Sequence, residues 1–116
     1  MKIIRMVVLA IVLGVFAAAA FAADGKNVAP VVIDVRTEAE WNEGHLKGAV
    51  LIPHDKIEQG ITAVVPDKKT KIYLHCRSGR RSGLAMETLK KAGYQDLINL
   101  ETLENASKVL QVPIVK

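Results

Sequence analysis

The single cysteine of the chain, Cys76, opens the run Cys76-Arg77-Ser78-Gly79-Arg80-Arg81. The thiolate, not the thiol, is the nucleophile, and helix N-termini and neighbouring cations favour it. Cys76 has both: it follows the apolar, strand-like run Ile72-Tyr73-Leu74-His75 and precedes a helix-like segment that begins among three arginines. The amides of residues 77–81, turned inward around Gly79, would form a nest for an anion. Such a nest stabilises a thiolate, a persulfide Cys–S–S⁻ or a bound oxyanion alike. The arginines add a positive potential that draws in an anionic substrate. A thiolate that attacks such a donor and keeps a fragment on its sulfur works by nucleophilic catalysis in two half-reactions. The plain alternative is a buried structural cysteine, since free cysteine often serves as a small core hydrophobe. The Arg-Ser-Gly-Arg-Arg run opposes it, because those guanidinium groups must reach water or a counter-charge.

Spacing narrows the chemistry further. A His-Cys start is shared with cysteine-dependent phosphatases, whose loop needs an arginine after five intervening residues. Here that position is Ser82, and Arg81 follows after only four. A loop one residue shorter has a smaller mouth, suited to a single transferable sulfur atom better than to a tetrahedral phosphate. Thioredoxin-like redox chemistry needs a second cysteine, which the chain lacks. Asp34, at a predicted strand end, could pair with Arg36 or with a loop arginine, and a structural ion pair is the reading preferred for the two. His45, in the turn Gly44-His45-Leu46-Lys47-Gly48, reads as structural and Trp41 as a packing residue. Strand alternation points the His75 side chain away from Cys76, so His75 is not taken as a base.

The elements that must hold this loop are legible as alternating strands and helices. Val31-Val32-Ile33-Asp34-Val35 is an apolar run with one charge, as in a buried parallel strand. Thr37-Glu38-Ala39-Glu40 matches a capping box, and the short helix it starts should stop at Gly44. Ala49-Val50-Leu51-Ile52 predicts a second strand closed by Pro53, and residues 55–64 a helix with Ile57, Ile61 and Val64 on one face. The third strand, 71–75, runs into Cys76. A helix over Arg80 to Ala92 should bury Leu84, Ala85, Thr88, Leu89 and Ala92, with Lys90 and Lys91 at its negative end and Gly93 as its cap. A fourth strand at 97–100, a last helix at 101–110 and an extra edge strand at 112–115 complete the pattern. Such alternation predicts an α/β fold, a small doubly wound parallel sheet with helices on both faces. Sites in these sheets form at the carboxyl ends of strands, where Cys76 falls.

The N-terminus carries a different signal. Lys2 and Arg5 precede the apolar stretch Met6 to Phe16, and Ala20-Phe21-Ala22 fits a small-x-small cleavage site. Residues 1–22 therefore read as a signal peptide and 23–116 as one domain, which implies a bacterial periplasm or an extracellular space, with the periplasm as the expected compartment. The alternative, an uncleaved anchor, lacks a charged stop-transfer flank. Cleavage leaves 94 residues, enough for one small core, and lowers the net charge from +4 to +2. That balance is too mild to argue for nucleic acid or for stable membrane association. Trp41, Tyr73 and Tyr94 are the aromatics left, so no row of rings could stack bases. A lone thiol is unusual in an oxidising compartment, where cysteines normally pair.

Two motifs resemble a known family. One is Ile33-Asp34-Val35-Arg36-Thr37, Glu40-Trp41, Gly44-His45-Leu46-Lys47-Gly48-Ala49 and Ile52-Pro53. The other is Tyr73-Leu74-His75-Cys76-Arg77-Ser78-Gly79-Arg80-Arg81-Ser82 with Leu89 and Ala92-Gly93-Tyr94. Together they cover nearly all of residues 31–100, and the chain resembles the single-domain rhodaneses, in particular the small exported ones of the phage-shock-protein-E type. The resemblance implies transfer of a sulfane sulfur from a small anionic donor such as thiosulfate to cyanide or a thiol acceptor. Cys76 would form the persulfide, Arg77, Ser78, Gly79, Arg80 and Arg81 would form the substrate-binding loop, and Asp34 and Arg36 would support it. It implies no metal and no organic cofactor, and a monomer is expected. A sulfur carrier of low turnover, and an oxyanion reductase or phosphatase, are the alternatives. Two departures stand out: Lys47 replaces a common proline, and Glu101-Thr102 stands where the family often has Gly-Gly followed by an aromatic.

Overall fold

The structure is a computed structural model that describes residues 28–116. The predicted signal peptide 1–22 and the predicted new N-terminus at Ala23 lie outside the described residues. The elements run β1 (Val31–Asp34), α1 (Glu38–Glu43), β2 (His45–Leu46), β3 (Val50–Leu51), a 3₁₀ turn (His54–Lys56), α2 (Ile57–Val64), β4 (Lys71–Cys76), α3 (Arg80–Lys91), β5 (Asp96–Thr102), α4 (Leu103–Leu110) and β6 (Ile114–Val115). Four strands form one parallel sheet in the order β3-β1-β4-β5. This is the α/β architecture that the alternation predicts, with β4 between two neighbours and Cys76 at its carboxyl end.

The two sheet faces bury different sets of side chains, as strand alternation requires. Ile72, Leu74 and Cys76 of β4 join Ile33, Ile57, Ile61, Ala85 and Leu89 in the larger core, beneath α2 and α3. Tyr73 packs in the other, with Leu46, Leu100, Leu103 and Ala106, beneath α4 and β2. On α3 the buried positions are Ser82, Ala85 and Leu89, spaced three and four apart. Leu84, expected in the core, is 47 % exposed, and Met86 packs against the core instead. The helix is rolled so that Ser82, rather than a larger apolar residue, faces the sheet near Cys76.

Local chemistry accounts for the ends of the elements. The Thr37 capping box is present in both directions, with Glu40 N–H donating to Thr37 Oγ1 at 3.2 Å and Thr37 N–H donating to Glu40 Oε1 at 2.9 Å. Gly93, at φ +99, ends α3 in the left-handed conformation that favours glycine. Several boundaries differ from expectation; the last helix, expected at 101–110, begins at Leu103, and the strand expected at 49–52 is Val50–Leu51. The predicted helix 55–64 begins as a 3₁₀ turn, strand 97–100 extends to Asp96–Thr102, and the predicted edge strand 112–115 does not join the main sheet. Ile114–Val115 instead pairs antiparallel with His45–Leu46. Gln111, at φ +57, turns the chain back, and Lys47 N–H donates to Pro113 O at 3.0 Å. Two-residue strands have no readable periodicity, so this ribbon was not legible beforehand.

One irregularity adjoins Cys76. The β4–β5 register slips between Leu74 and His75: Leu74 faces Asn99, but His75 faces Glu101. Leu100 is the extra residue of a β-bulge, a feature that re-aims side chains beside sites. Glu101, just after it, sits at φ +73.

Candidate active site

Cys76 ends the central strand, and the chain turns at once through residues 77–79 into α3. Gly79, at φ +98, aims its N–H at Cys76 Sγ, 3.0 Å away. Only glycine suits this position, because an added Cβ would also lie 3.1 Å from Glu101 Cγ. The Ser82 hydroxyl lies 3.5 Å from the sulfur, one turn into the helix. Burial pushes the thiol pKa up, but the Ser82 hydroxyl and the amides of Ser82, Ser78 and Gly79 outweigh it and lower the pKa to about 7. Half the sulfur is then thiolate near neutrality, against a few per cent for an ordinary cysteine. Of the amides of residues 77–81 expected to turn inward, Gly79 donates to the sulfur and Ser78 adds to its stabilisation, with Ser82 lying just beyond that range. The leading stabilisation of the thiolate comes from these amides and from Ser82, not from the arginines.

The arginines are placed separately. Arg81 reaches across to α1, its Nη1 and Nη2 donating to Glu40 Oε1 at 2.8 Å and Oε2 at 3.0 Å. This bidentate pair depresses the Glu40 pKa to about 2 and ties the start of α3 to α1. Arg80 and Ser78 face solvent, whereas Arg77, also exposed, lines a cavity above Cys76. Cys76 itself is 0 % exposed, so the expectation that its basic flank would oppose burial fails. The sulfur is covered while each neighbouring guanidinium finds water or Glu40.

Asp34 and Arg36 form the ion pair favoured from the sequence. Asp34 is fully buried, accepting from Arg36 Nε at 2.9 Å, from Nη2 at 2.8 Å and from the Arg36 amide at 3.0 Å. Arg36 Nη2 also donates to Gly44 O at 2.6 Å, which fastens the end of α1 to the end of β1. His75 points to the face opposite Cys76, as alternation predicts, with Nε2 3.8 Å from Asp34 Oδ2. Neither of its ring nitrogens has a hydrogen-bond partner among the described residues. Burial lowers its pKa, against the upward pull of Asp34, and so favours the neutral ring. His45 is structural: its ring stacks on Trp41 at 3.7 Å between centroids, and its Nδ1 lies 3.0 Å from Trp41 O.

The cavity of about 220 Å³ above Cys76 is lined by Arg36, Glu40, Glu43, Arg77, Leu103 and Glu104. Cys76 itself contributes to the floor of this cavity. Leu103 and Glu104 begin α4, and Glu43 ends α1. Sequence reasoning did not assign these three to the site, nor Ser82 and Asn99, because they come from four different elements, α1, α3, β5 and α4. Ser82 and Glu40 stand in the two family-like motifs, but neither the Ser82 contact with the thiol nor the Glu40 bond to Arg81 is legible from them.

The chain is a parallel α/β sheet that presents a single, amide-cradled thiol at the carboxyl end of β4. The rhodanese-like domain family model matches residues 17–102, and the chain belongs to that family. Thiosulfate sulfurtransferase PspE of Escherichia coli (strain K12) is 36% identical over 73 residues, covering 63% of this chain and 70% of PspE. The probable adenylyltransferase/sulfurtransferase MoeZ of Mycobacterium tuberculosis (strain CDC 1551 / Oshkosh) is 40% identical over 78 residues, covering 66% of this chain but 19% of MoeZ. A solved rhodanese with anions from E. coli superposes with a TM-score of 0.69 at 34% identity, covering 76% of this chain and 99% of that one. These relatives place the chain in the sulfurtransferase class. No helix among the described residues is long and apolar enough to cross a membrane.

The departure at Glu101-Thr102 has a structural answer. Glu101 takes a glycine-like backbone at φ +73, while Thr102 is extended and caps α4, accepting from Asn105 N–H at 2.9 Å. The turn geometry survives without glycine, at the cost of placing an L-residue in the left-handed region. Glu101→Gly is therefore expected to stabilise the fold by up to about 1 kcal/mol, glycine's own entropy offsetting part of the relieved strain. A higher urea midpoint at unchanged m-value is the signature. An unchanged or lower midpoint would mean that the packing of Glu101 on Gly79 matters more than its backbone strain.

Proposed function

We propose that this protein is a thiosulfate sulfurtransferase that works through a persulfide on Cys76. The Cys76 thiolate attacks the outer sulfur of thiosulfate, the S–S bond of the donor breaks, and sulfite leaves with the bonding pair. The product, Cys–S–S⁻, then passes its terminal sulfur to cyanide, giving thiocyanate, or to a thiolate, giving a new persulfide, and the Cys76 thiolate returns. The observation that carries this reading is the Gly79 N–H at 3.0 Å from a sulfur that faces a small polar cavity. Amides so placed stabilise a thiolate and a persulfide anion equally. Arg77 at the cavity wall favours the anionic donor, and the exposed Arg80 adds to the attracting field. Arg81 serves indirectly by holding α1 against α3 through Glu40. Arg36 lines the cavity beside the thiol and is held there by the buried Asp34. No metal or organic cofactor enters the scheme. The signal-like segment 1–22 supports export to the periplasm.

Incubation of the protein with thiosulfate should add one sulfur atom to its intact mass, removable by cyanide or dithiothreitol. The loading rate should rise with pH and level off above about 7, because the thiolate forms as the pH climbs through the thiol pKa. Absence of the added mass, or a rate flat from acid to neutral pH, would refute the reading. A second reading, a persulfide carrier of low turnover, draws on the complete burial of Cys76 and on a putative sulfur carrier protein, YrkF of Bacillus subtilis (strain 168), 36% identical over 69 residues. This chain covers 36% of YrkF. Rapid loading with slow thiocyanate release would select it.

A further inference from the structure

The side chain of Asn99 occupies the junction between the β5 bulge and the Cys76 loop. Its orientation is set by its partners: the Glu101 amide can only donate, and it meets Asn99 Oδ1 at 2.9 Å. The other end, Nδ2, donates to Gly79 O at 3.2 Å. Asn99 Oδ1 also lies 2.7 Å from Ser82 Oγ, and between those two atoms only the hydroxyl has a proton to give. That same hydroxyl lies 3.2 Å from Gly79 O and 3.5 Å from Cys76 Sγ. One proton therefore faces three acceptors, and the shortest contact is to Asn99.

We propose that Asn99 is a positioning residue that holds the Ser82 hydroxyl proton away from the Cys76 sulfur and yields it when the sulfur becomes anionic. A neutral thiol is a poor acceptor, so the proton stays on the amide oxygen. A thiolate or persulfide anion competes for it through a charge-assisted bond. The competition limits how far the sulfur is stabilised. A more stabilised sulfur forms its anion at lower pH and leaves more readily when an acceptor takes the outer sulfur, but as an attacking group it is a weaker nucleophile. Asn99 thus sets the balance between loading and release. The inference rests on Cys76 being the reacting group but not on the identity of the donor, so its test needs no sulfur substrate.

The test measures the pH midpoint of Cys76 alkylation by iodoacetamide. Asn99→Ala frees the hydroxyl for the sulfur and is expected to lower the midpoint, raising the alkylation rate at pH ~6 by about three- to tenfold. Ser82→Ala should raise the midpoint, and Asn99→Ala/Ser82→Ala should match Ser82→Ala alone. The other charges facing the thiol are Arg36 behind β1, Glu40 and Glu43 on α1, Arg77 in the loop, Arg81 on α3, Glu101 on β5 and Glu104 on α4. They are common to all four proteins and cancel in the comparison. A midpoint that rises or stays put in Asn99→Ala would overturn the proposal. A shift that persists without Ser82 would do the same, since it would show that Asn99 acts by bracing the loop. Should Asn99→Ala not fold, the series is run on Glu101→Gly, where the bulge no longer needs a side chain to support a strained residue.

Discussion

Cys76→Ser is expected to abolish sulfur loading and to lower thiocyanate formation by at least about a thousandfold, the scale of losing a nucleophile. The buried site leaves no other candidate, because the chain has no second thiol. A serine hydroxyl cannot ionise near neutral pH, and the amides that stabilise the thiolate cannot make it do so. Folding should be little affected. Oγ is smaller than Sγ but can accept from the Gly79 N–H in its place, so a change within about 1 kcal/mol is anticipated. The loss of activity then belongs to the sulfur and not to a damaged loop. Intact mass after thiosulfate treatment and a urea melt of the same sample check both halves. A reducible mass gain that survives in Cys76→Ser would sink the persulfide scheme.

The second large effect falls on stability. Arg36→Ala removes the cation of Asp34, whose side chain is fully buried, and leaves a carboxylate with no partner of matching strength. Breaking one side of a buried pair costs about 3–5 kcal/mol, a large share of the roughly 5–15 kcal/mol that holds a domain together. The double variant Asp34→Ala/Arg36→Ala should cost less than the two single changes added, because the orphaned charge is gone. The penalty of Arg36→Ala also acquires a pH dependence. In the intact protein Arg36 and burial both disfavour protonated His75, while Asp34 favours it. Without Arg36 the His75 ring, 3.8 Å from Asp34, takes up a proton more readily in the folded variant than in the intact fold. A fold that binds more protons than its reference gains on that reference at low pH and loses to it as pH rises. The destabilisation should therefore be smaller near pH ~5.5 than near pH ~8. Urea melts of wild type and variant at both values read it, and an equal or larger loss at the lower pH would contradict the account.

The capping box at Thr37 and Glu40, the Gly93 cap and the apolar strand 71–75 were legible because their cause lies within a few residues. So was the special position of Cys76, from its place between a strand and a helix start. The Asp34–Arg36 pair was legible for the same reason, as its members are two residues apart. Glu40 shows where local reading stops. Its capping role is visible at a spacing of three, but its bond to Arg81 spans 41 residues. The β2–β6 ribbon was hidden likewise, since its strands are short and far apart in the chain.

The sequence by itself determined the alternating fold, the identity of the candidate nucleophile and the glycine that lets the loop curl around it. These follow from hydrophobic period, residue chemistry and backbone sterics, all of which act over a turn or less. Tertiary structure alone decided how the thiol is tuned. It rolled α3 to bring Ser82 beneath the sulfur, bulged β5 to bring Asn99 against Ser82, and drew Arg81 to Glu40 instead of to the cavity. Hydrogen bonds and ion pairs depend on ångström distances between elements. Those distances exist only once the two faces of the sheet are packed.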